Sequence, residues 1–252
     1  PDLLIVYGDV NSTLGAAIAA AKMNVKIAHI ESGLRSFDRE MPEEINRILV
    51  DRISNYHFVT EQSGVDNLLL EGHSRESIFF VGNTMIDSLF KISSKIEERG
   101  EEYLLMTMHR PSNVDNKPQL EKIIDICGRV ELGIIFPMHP RTEKNLHKFG
   151  LFEKLRNMKN VRTMQSAGYF EFISLMRNSM AVITDSGGIQ EETTALGVPC
   201  LTLRDNTERP VTISKGTNVL VKTVDEVLDN ISLIEKKQYK KGSRPDMWDG
   251  HA

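Results

Sequence analysis

Short apolar runs alternate along the chain with amphipathic or alanine-rich stretches, and the alternation predicts most of the elements. Leu3 to Tyr7 is followed by a helical stretch near Ser12 to Lys22, and Val25 to Ile30 by a loop and a helix from about Pro42 to Ile53. His57 to Thr60 precedes Gln62 to Glu71, and Ile78 to Val81 precedes Thr84 to Ile96. A charged stretch, Ser93 to Glu102, interrupts this rhythm and is the expected linker. A second series then places strands near Tyr103 to Thr107, Gly133 to Pro137, Val161 to Thr163, Ala181 to Thr184, Pro199 to Thr202 and Val219 to Val221. Helices are expected between them near Lys117 to Val130, Arg141 to His147, Tyr169 to Asn178, Ile189 to Leu196 and Val224 to Lys236. Strands that are apolar throughout and alternate with helices imply parallel sheets covered on both faces. The expected fold class is α/β, with two Rossmann-like doubly wound domains facing a cleft: residues 1–96, a linker at 97–102, and residues 103–252.

The 252 residues carry a formal charge of −4, and neither value suggests a nucleic-acid partner. Lys236, Lys237, Lys240 and Lys241 cluster without interleaved aromatics, so a solvated helix face accounts for them. Cys127 and Cys200 sit in apolar runs and read as reduced core residues of a cytoplasmic protein. No stretch has the length and apolarity of a membrane span. Pro1 is not an initiator methionine, and Leu3 to Tyr7 is already a strand, so the first domain is expected to be incomplete; Asp249 to Ala252 reads as the beginning of a further helix.

The segment Thr184-Asp185-Ser186-Gly187-Gly188-Ile189-Gln190-Glu191-Glu192 lies where a buried strand meets a helix. First-turn amides lack helical partners and carry the positive dipole end, so this junction suits a phosphate. Gly187 and Gly188 permit close backbone approach, and Glu191 or Glu192 can accept from a ribose diol. The alternative is that Asp185 or Ser186 caps the helix and the glycines form a turn. Polar residues also gather after other strands: Gly8 to Thr13, Glu31 to Arg35, Met41 to Arg47, His109 to Pro111 and Met138 to Arg141. Taken singly, Glu43 is as well explained as a stabilising first-turn acid as by a functional role, Glu44 fits the stabilising role better than Glu43, and His109 is better explained as a structural imidazole. Arg209 suits a diphosphate or an ion pair of a surface loop. The seven histidines show no i, i+4 pair and no HExxH, and GxxxxGK[ST] and GxGxxG are absent, so a zinc site, an ATPase and a dehydrogenase are disfavoured.

In order, GDVNST at Gly8, HIESGLRSFDREMPEEINR from His29, FVGNTMIDSL from Phe80, HRPSNVD from His109, TDSGGIQEE from Thr184, RDNTERP from Arg204 and GTN from Gly216 resemble the motifs of the non-hydrolysing UDP-N-acetylglucosamine 2-epimerases. The resemblance spans nearly the whole chain. It implies a glycosyltransferase-B type fold, a cytoplasmic homodimer, a UDP-sugar substrate and no cofactor. The implied reaction interconverts UDP-GlcNAc and UDP-ManNAc by elimination of UDP to a 2-acetamidoglucal and re-addition, for surface polysaccharide precursors. By the same resemblance the catalytic acids fall on Asp9, Glu31 and Glu43, with His109 across the cleft. Substrate contacts fall on Phe172 beside the uracil, on Ser186, Gly187 and Gly188 at the diphosphate, on Glu192 at the ribose, and on His139 and Arg209; Arg47 pairs with the acids. Pro111-Ser112 stand where many bacterial members carry Arg-Glu, which puts allosteric activation by UDP-GlcNAc in doubt. The alternatives are another UDP-2-acetamido sugar, such as a diacetamido uronic acid, release of free ManNAc, or a transferase of similar architecture.

Overall fold

The structure, a computed structural model, describes residues 1–97 and 102–252. Two compact units divide the chain: Pro1–Ser88 with Thr207–Val211 and Pro245–Ala252, and Leu89–Asn206 with Thr212–Arg244. A single cut does not describe this division. Arg177 donates to the Ser93 carbonyl and Asn178 to that of Glu97 at 3.3 Å, tying the segment before Glu98 to the second unit. Trp248, 1 % exposed, donates to the Thr60 carbonyl at 2.8 Å and fixes the C-terminal residues to the first. Of the expected linker, residues 98–101 lie outside the described residues.

The first unit alternates β1 (Leu3–Tyr7), α1 (Asn11–Lys22), β2 (Lys26–Ile30), α2 (Pro42–Ile53), β3 (Tyr56–Val59), α3 (Gln62–Leu70) and β4 (Ile78–Phe80), and α4 (Thr84–Ser93) begins in it. Its strands pair in parallel in the order β1-β2-β3-β4. Parallel neighbours need a crossover, and α1, α2 and α3 supply one each. Val6, Ile27 and Val50 form one small core with Ala17 and Ala20, whose short side chains let α1 lie close to the sheet. Val59, Val65, Leu68 and Ile78 form another.

The second unit holds β5 (Tyr103–Thr107), α5 (Pro111–Val114), α6 (Lys117–Arg129), β6 (Gly133–Met138), α7 (Pro140–Lys148), α8 (Phe152–Arg156), β7 (Val161–Gln165), α9 (Tyr169–Asn178), β8 (Ala181–Thr184), α10 (Gly187–Leu196), β9 (Cys200–Leu203), α11 (Pro210–Ser214, its first residues counted with the first unit), β10 (Asn218–Val221) and α12 (Val224–Glu235). All six strands are parallel, in the order β10-β9-β8-β5-β6-β7. Every residue of β5, β8 and β9 is buried, as the apolar runs require of central strands. Leu104, Met106, Ile183 and Leu201 from these strands pack with Leu120, Ile124, Phe136, Val227 and Ile231.

Several local expectations change. The short helices α5, α8 and α11 were not legible as helical periods. The helix expected to reach Ile96 ends at Ser93 and continues as turns. Asp249 to Ala252 form no helix. Gly187 and Gly188 lie inside the first turn of α10 rather than in a turn before it.

Candidate functional site

In the first unit, Asp9 and Glu31 follow neighbouring strands, β1 and β2, and Gly8 N bonds the Ile30 carbonyl at 3.0 Å. Gly8 has φ +66°, and a Cβ there would stand 3.6 Å from Glu31 Oε2, so the two acid-bearing loops lie side by side. Arg47, 3 % exposed, donates to Asp9 Oδ2 through Nε at 2.9 Å and through a terminal nitrogen at 2.6 Å. Its other nitrogen reaches Glu44 Oε2 at 2.9 Å. The expected pairing of Arg47 with an acid is therefore present, with both bonds to Asp9 ending on Oδ2.

Glu31 accepts from the Tyr7 hydroxyl at 3.1 Å. Its φ of +68° is in the left-handed region that a side chain makes costly. Glu43 is exposed on the first turn of α2, one turn before Arg47. Glu44 is the structural acid of the pair: buried, it accepts from the backbone amides of Ser36 and Phe37 at 2.9 and 3.0 Å. Arg209 also belongs to the first unit; it is not on a surface loop, because its guanidinium pairs with Glu208 and both residues are buried.

Beneath Asp9 and Glu31 lies a buried cluster that the sequence reading did not single out. Asp51 of α2 accepts from Gly33 N at 3.0 Å, and its carboxylate lies 2.6 Å from His29 Nδ1 and 2.7 Å from an Arg35 nitrogen. Burial alone raises a carboxyl's pKa, but the bonds from His29, Arg35 and Ser32 outweigh it and hold Asp51 well below the ordinary range. His29 Nε2 lies 2.9 Å from the Gly8 carbonyl, so both ring nitrogens face acceptors. One ion cluster thus anchors the Gly8-Asp9 turn and the Ser32-Gly33 turn after Glu31. The signal in the sequence was a charged residue on the inner face of an amphipathic helix.

In the second unit the strand order reverses between β5 and β8, which are neighbours with Thr107 opposite Thr184. Open α/β sheets bind ligands beyond the carboxyl ends of strands at such a reversal. Here β5 leads to His109, and β8 to Asp185 and Ser186. Ser186 is the N-cap of α10 but makes no side-chain cap bond, which overturns the capping alternative for this residue. Asp185 does not cap either: its buried carboxylate accepts from the amides of His109 and Arg110, at 3.1 and 2.9 Å. The start of α10, a positive helix end, thus carries no side-chain cap.

His109 Nδ1 lies 3.2 Å from Asp185 Oδ1, and the imidazole side chain is 39 % exposed. Burial lowers its pKa despite the pull of Asp185, and Arg110 and His139 lower it further. His139 is the N-cap of α7, its Nδ1 accepting from Arg141 N at 3.1 Å, and its ring centroid is 5.6 Å from that of His109. Glu192, on the second turn of α10, accepts from the Tyr169 hydroxyl at 2.8 Å. Its pKa is pushed up to about 7 by burial, which the Tyr169 bond only partly offsets. Phe172 is half-buried one turn along α9 from Tyr169. Asn218, from the GTN motif, donates to Gln190 at 3.0 Å and accepts from Thr202 at 2.6 Å, pinning the buried polar face of α10.

The second unit therefore gathers His109, His139, Ser186, Gly187, Gly188, Phe172 and Glu192 on the elements around one strand reversal, and the first gathers Asp9, Glu31 and Arg47. Among the described residues no helix is long and apolar enough to cross a membrane. The family model described as UDP-N-acetylglucosamine 2-epimerase matches residues 1–252. The chain is 44 % identical over 260 residues to the UDP-N-acetylglucosamine 2-epimerase of Methanocaldococcus jannaschii, covering 95 % of this chain and 71 % of the relative. It is 46 % identical over 236 residues to that of Methanococcus maripaludis, covering 87 % and 64 %. The UDP-2,3-diacetamido-2,3-dideoxy-D-glucuronate 2-epimerase of Pseudomonas aeruginosa is 42 % identical over 231 residues, at 88 % and 64 % coverage. The chain thus spans about two thirds of the length of these relatives.

Among solved structures, the M. jannaschii UDP-GlcNAc 2-epimerase in complex with UDP-GlcNAc and UDP superposes with TM-score 0.88 at 40 % identity, covering 99 % of this chain and 74 % of that one. A lipopolysaccharide galactosyltransferase, at 18 % identity and TM-score 0.53, shares the fold alone, which is of the glycosyltransferase-B type. With the full-length family match and an uncapped helix start beside an imidazole at the strand reversal, the chain belongs to the UDP-N-acetylglucosamine 2-epimerase family.

Proposed function

We infer that this protein interconverts UDP-N-acetylglucosamine and UDP-N-acetylmannosamine as a non-hydrolysing isomerase. The observation that carries this reading is the uncapped start of α10 with His109 alongside, in a chain so similar to an epimerase solved with UDP-GlcNAc and UDP. In this reading the amides of Gly187 and Gly188, with Ser186, receive the diphosphate; Glu192 accepts from the ribose, Phe172 lies by the uracil, and His139 and Arg209 complement the phosphates.

The proton on C2 of the sugar is not α to a carbonyl, so direct removal is unfavourable. Elimination avoids this: UDP leaves C1 as the C2 proton departs, giving a 2-acetamidoglucal, and UDP re-adds while C2 is protonated on the opposite face. Charge then develops on the leaving diphosphate, where the amides and His109 stabilise it, and on the anomeric carbon, where carboxylates do. Asp9, Glu31 and Glu43 take and return the proton. Arg47 spends two donors on Asp9 Oδ2, which leaves Oδ1 for a proton. A homodimer is part of the same reading.

The test is an NMR time course with UDP-GlcNAc in deuterated water. UDP-ManNAc carrying deuterium at C2 is expected, and epimerised product that retains its original hydrogen would rule the elimination out. A second reading, epimerisation of a UDP-2,3-diacetamido uronic acid, is favoured by the 42 % identity to the P. aeruginosa relative. Faster turnover of that sugar than of UDP-GlcNAc would select it.

A further inference from the structure

Asp185 collects the donors of the loop that carries His109. Its carboxylate accepts from His109 N at 3.1 and 3.2 Å, Arg110 N at 2.9 Å and Asn113 Nδ2 at 3.1 Å, and it lies 3.2 Å from His109 Nδ1. Arg110 Nε in turn donates to the Asp185 carbonyl at 2.9 Å. Asp185 immediately precedes Ser186, so the residue that seats the imidazole is covalently next to the start of α10. A carboxylate only accepts, so its negative charge 3.2 Å away favours hydrogen on the near ring nitrogen.

We propose that Asp185 is the positioning residue of His109, keeping its proton on Nδ1 so that Nε2 is the atom that gains a proton when a diphosphate docks on the first amides of α10. This rests on the UDP-sugar reading of the site. The proton comes from solvent as the ligand binds and returns to solvent as it leaves, and no other bond is made or broken. In the free protein burial, Arg110 on the same loop and His139 at the start of α7 all disfavour the charged ring, and only Asp185 favours it. A docked diphosphate adds a second negative group beside the ring and reverses that balance. His139 is held the opposite way: its Nδ1 accepts from Arg141 N, which leaves Nε2 as the nitrogen that carries hydrogen.

The experiment is titration calorimetry of UDP-GlcNAc into the protein at about pH 7 in buffers of different ionisation enthalpy. Its diphosphate diester has no proton that titrates near neutrality. Uptake by the unmodified protein is expected to exceed that by His109→Asn by roughly half a proton, since the two negative groups flanking the ring favour its cation. At least a twofold smaller uptake is expected for Asp185→Asn. Histidine ¹⁵N spectra are expected to show His109 protonated on Nδ1 when free and on both nitrogens when bound.

Uptake by the unmodified protein no greater than that by His109→Asn overturns the assignment and leaves the substrate reading intact. If Asp185→Asn does not fold, the tautomer in the unmodified protein decides, and a free His109 protonated on Nε2 alone overturns the proposal. Failure of UDP-GlcNAc to bind at all overturns the substrate reading and the assignment with it.

Discussion

Replacing Arg47 with methionine removes the cation on which two carboxylates depend while roughly keeping its volume. Arg47 is 3 % exposed, and its three donated bonds end on Asp9 Oδ2 and Glu44 Oε2, with Glu208 Oε1 at 3.9 Å. The side chains of Glu44 and Glu208 are each 1 % exposed and that of Asp9 24 %, so little water replaces the lost partner. Removing one member of a buried ion pair costs about 3–5 kcal/mol, mostly as the penalty of stranding the other charge. For a chain of this size that corresponds to a melting point lower by roughly 6–20 °C.

Urea unfolding of the unmodified protein, Arg47→Met, Glu44→Gln and the double variant measures this loss. The double variant should lose less than the sum of the single losses, because the charges share one network. If Arg47→Met stays within about 1 kcal/mol of the unmodified protein at neutral pH, the reasoning fails, since that is the size of an exposed pair.

Glu31→Gly should abolish turnover yet leave stability level or raised by up to ~1 kcal/mol, because glycine tolerates φ +68° without a Cβ clash; a clear loss of stability would refute the strain argument. Burial raises Glu61 and Glu192 from the ordinary 4.5 to about 7. Between those values the folded protein keeps protons that the unfolded chain has released, so stability falls as pH rises across that window and levels above it. Glu61→Gln and Glu192→Gln should each flatten part of that slope in melting curves, and an unchanged slope in both would contradict the shifts. Gly216→Ala would put a Cβ 2.3 Å from Thr194 Oγ1 and 2.5 Å from the Thr212 carbonyl, so a loss of ~1–3 kcal/mol or more is expected in chemical denaturation.

The legible part of this molecule was local. Runs such as Tyr103–Thr107 and Ala181–Thr184, apolar at every position, announced central parallel strands, and the α2 pattern gave Pro42–Ile53 to the residue. Short helices such as α5 and α8 escaped because one turn has no period to read. Among candidate residues, Glu44 was correctly the more structural of its pair, while Asp185 was weighed as a cap and proved to be the seat of His109. Its partners are 75 and 76 positions away, a separation that no helical or strand spacing encodes.

By itself, then, the sequence determined the strand-helix alternation, the parallel class, the glycine-containing junction after β8 and the ordered motifs that tie the chain to its family. Each of these is written in residues adjacent or one turn apart, where backbone geometry fixes what neighbours do. Only the tertiary structure decided that the strand order reverses between β5 and β8, that Asp51 and His29 anchor the Asp9 and Glu31 turns from below, and that Tyr169 reaches Glu192. Those facts depend on which strands become neighbours, and a chain that pays the entropy of closing loops of many residues leaves no local trace of the pairing it chooses.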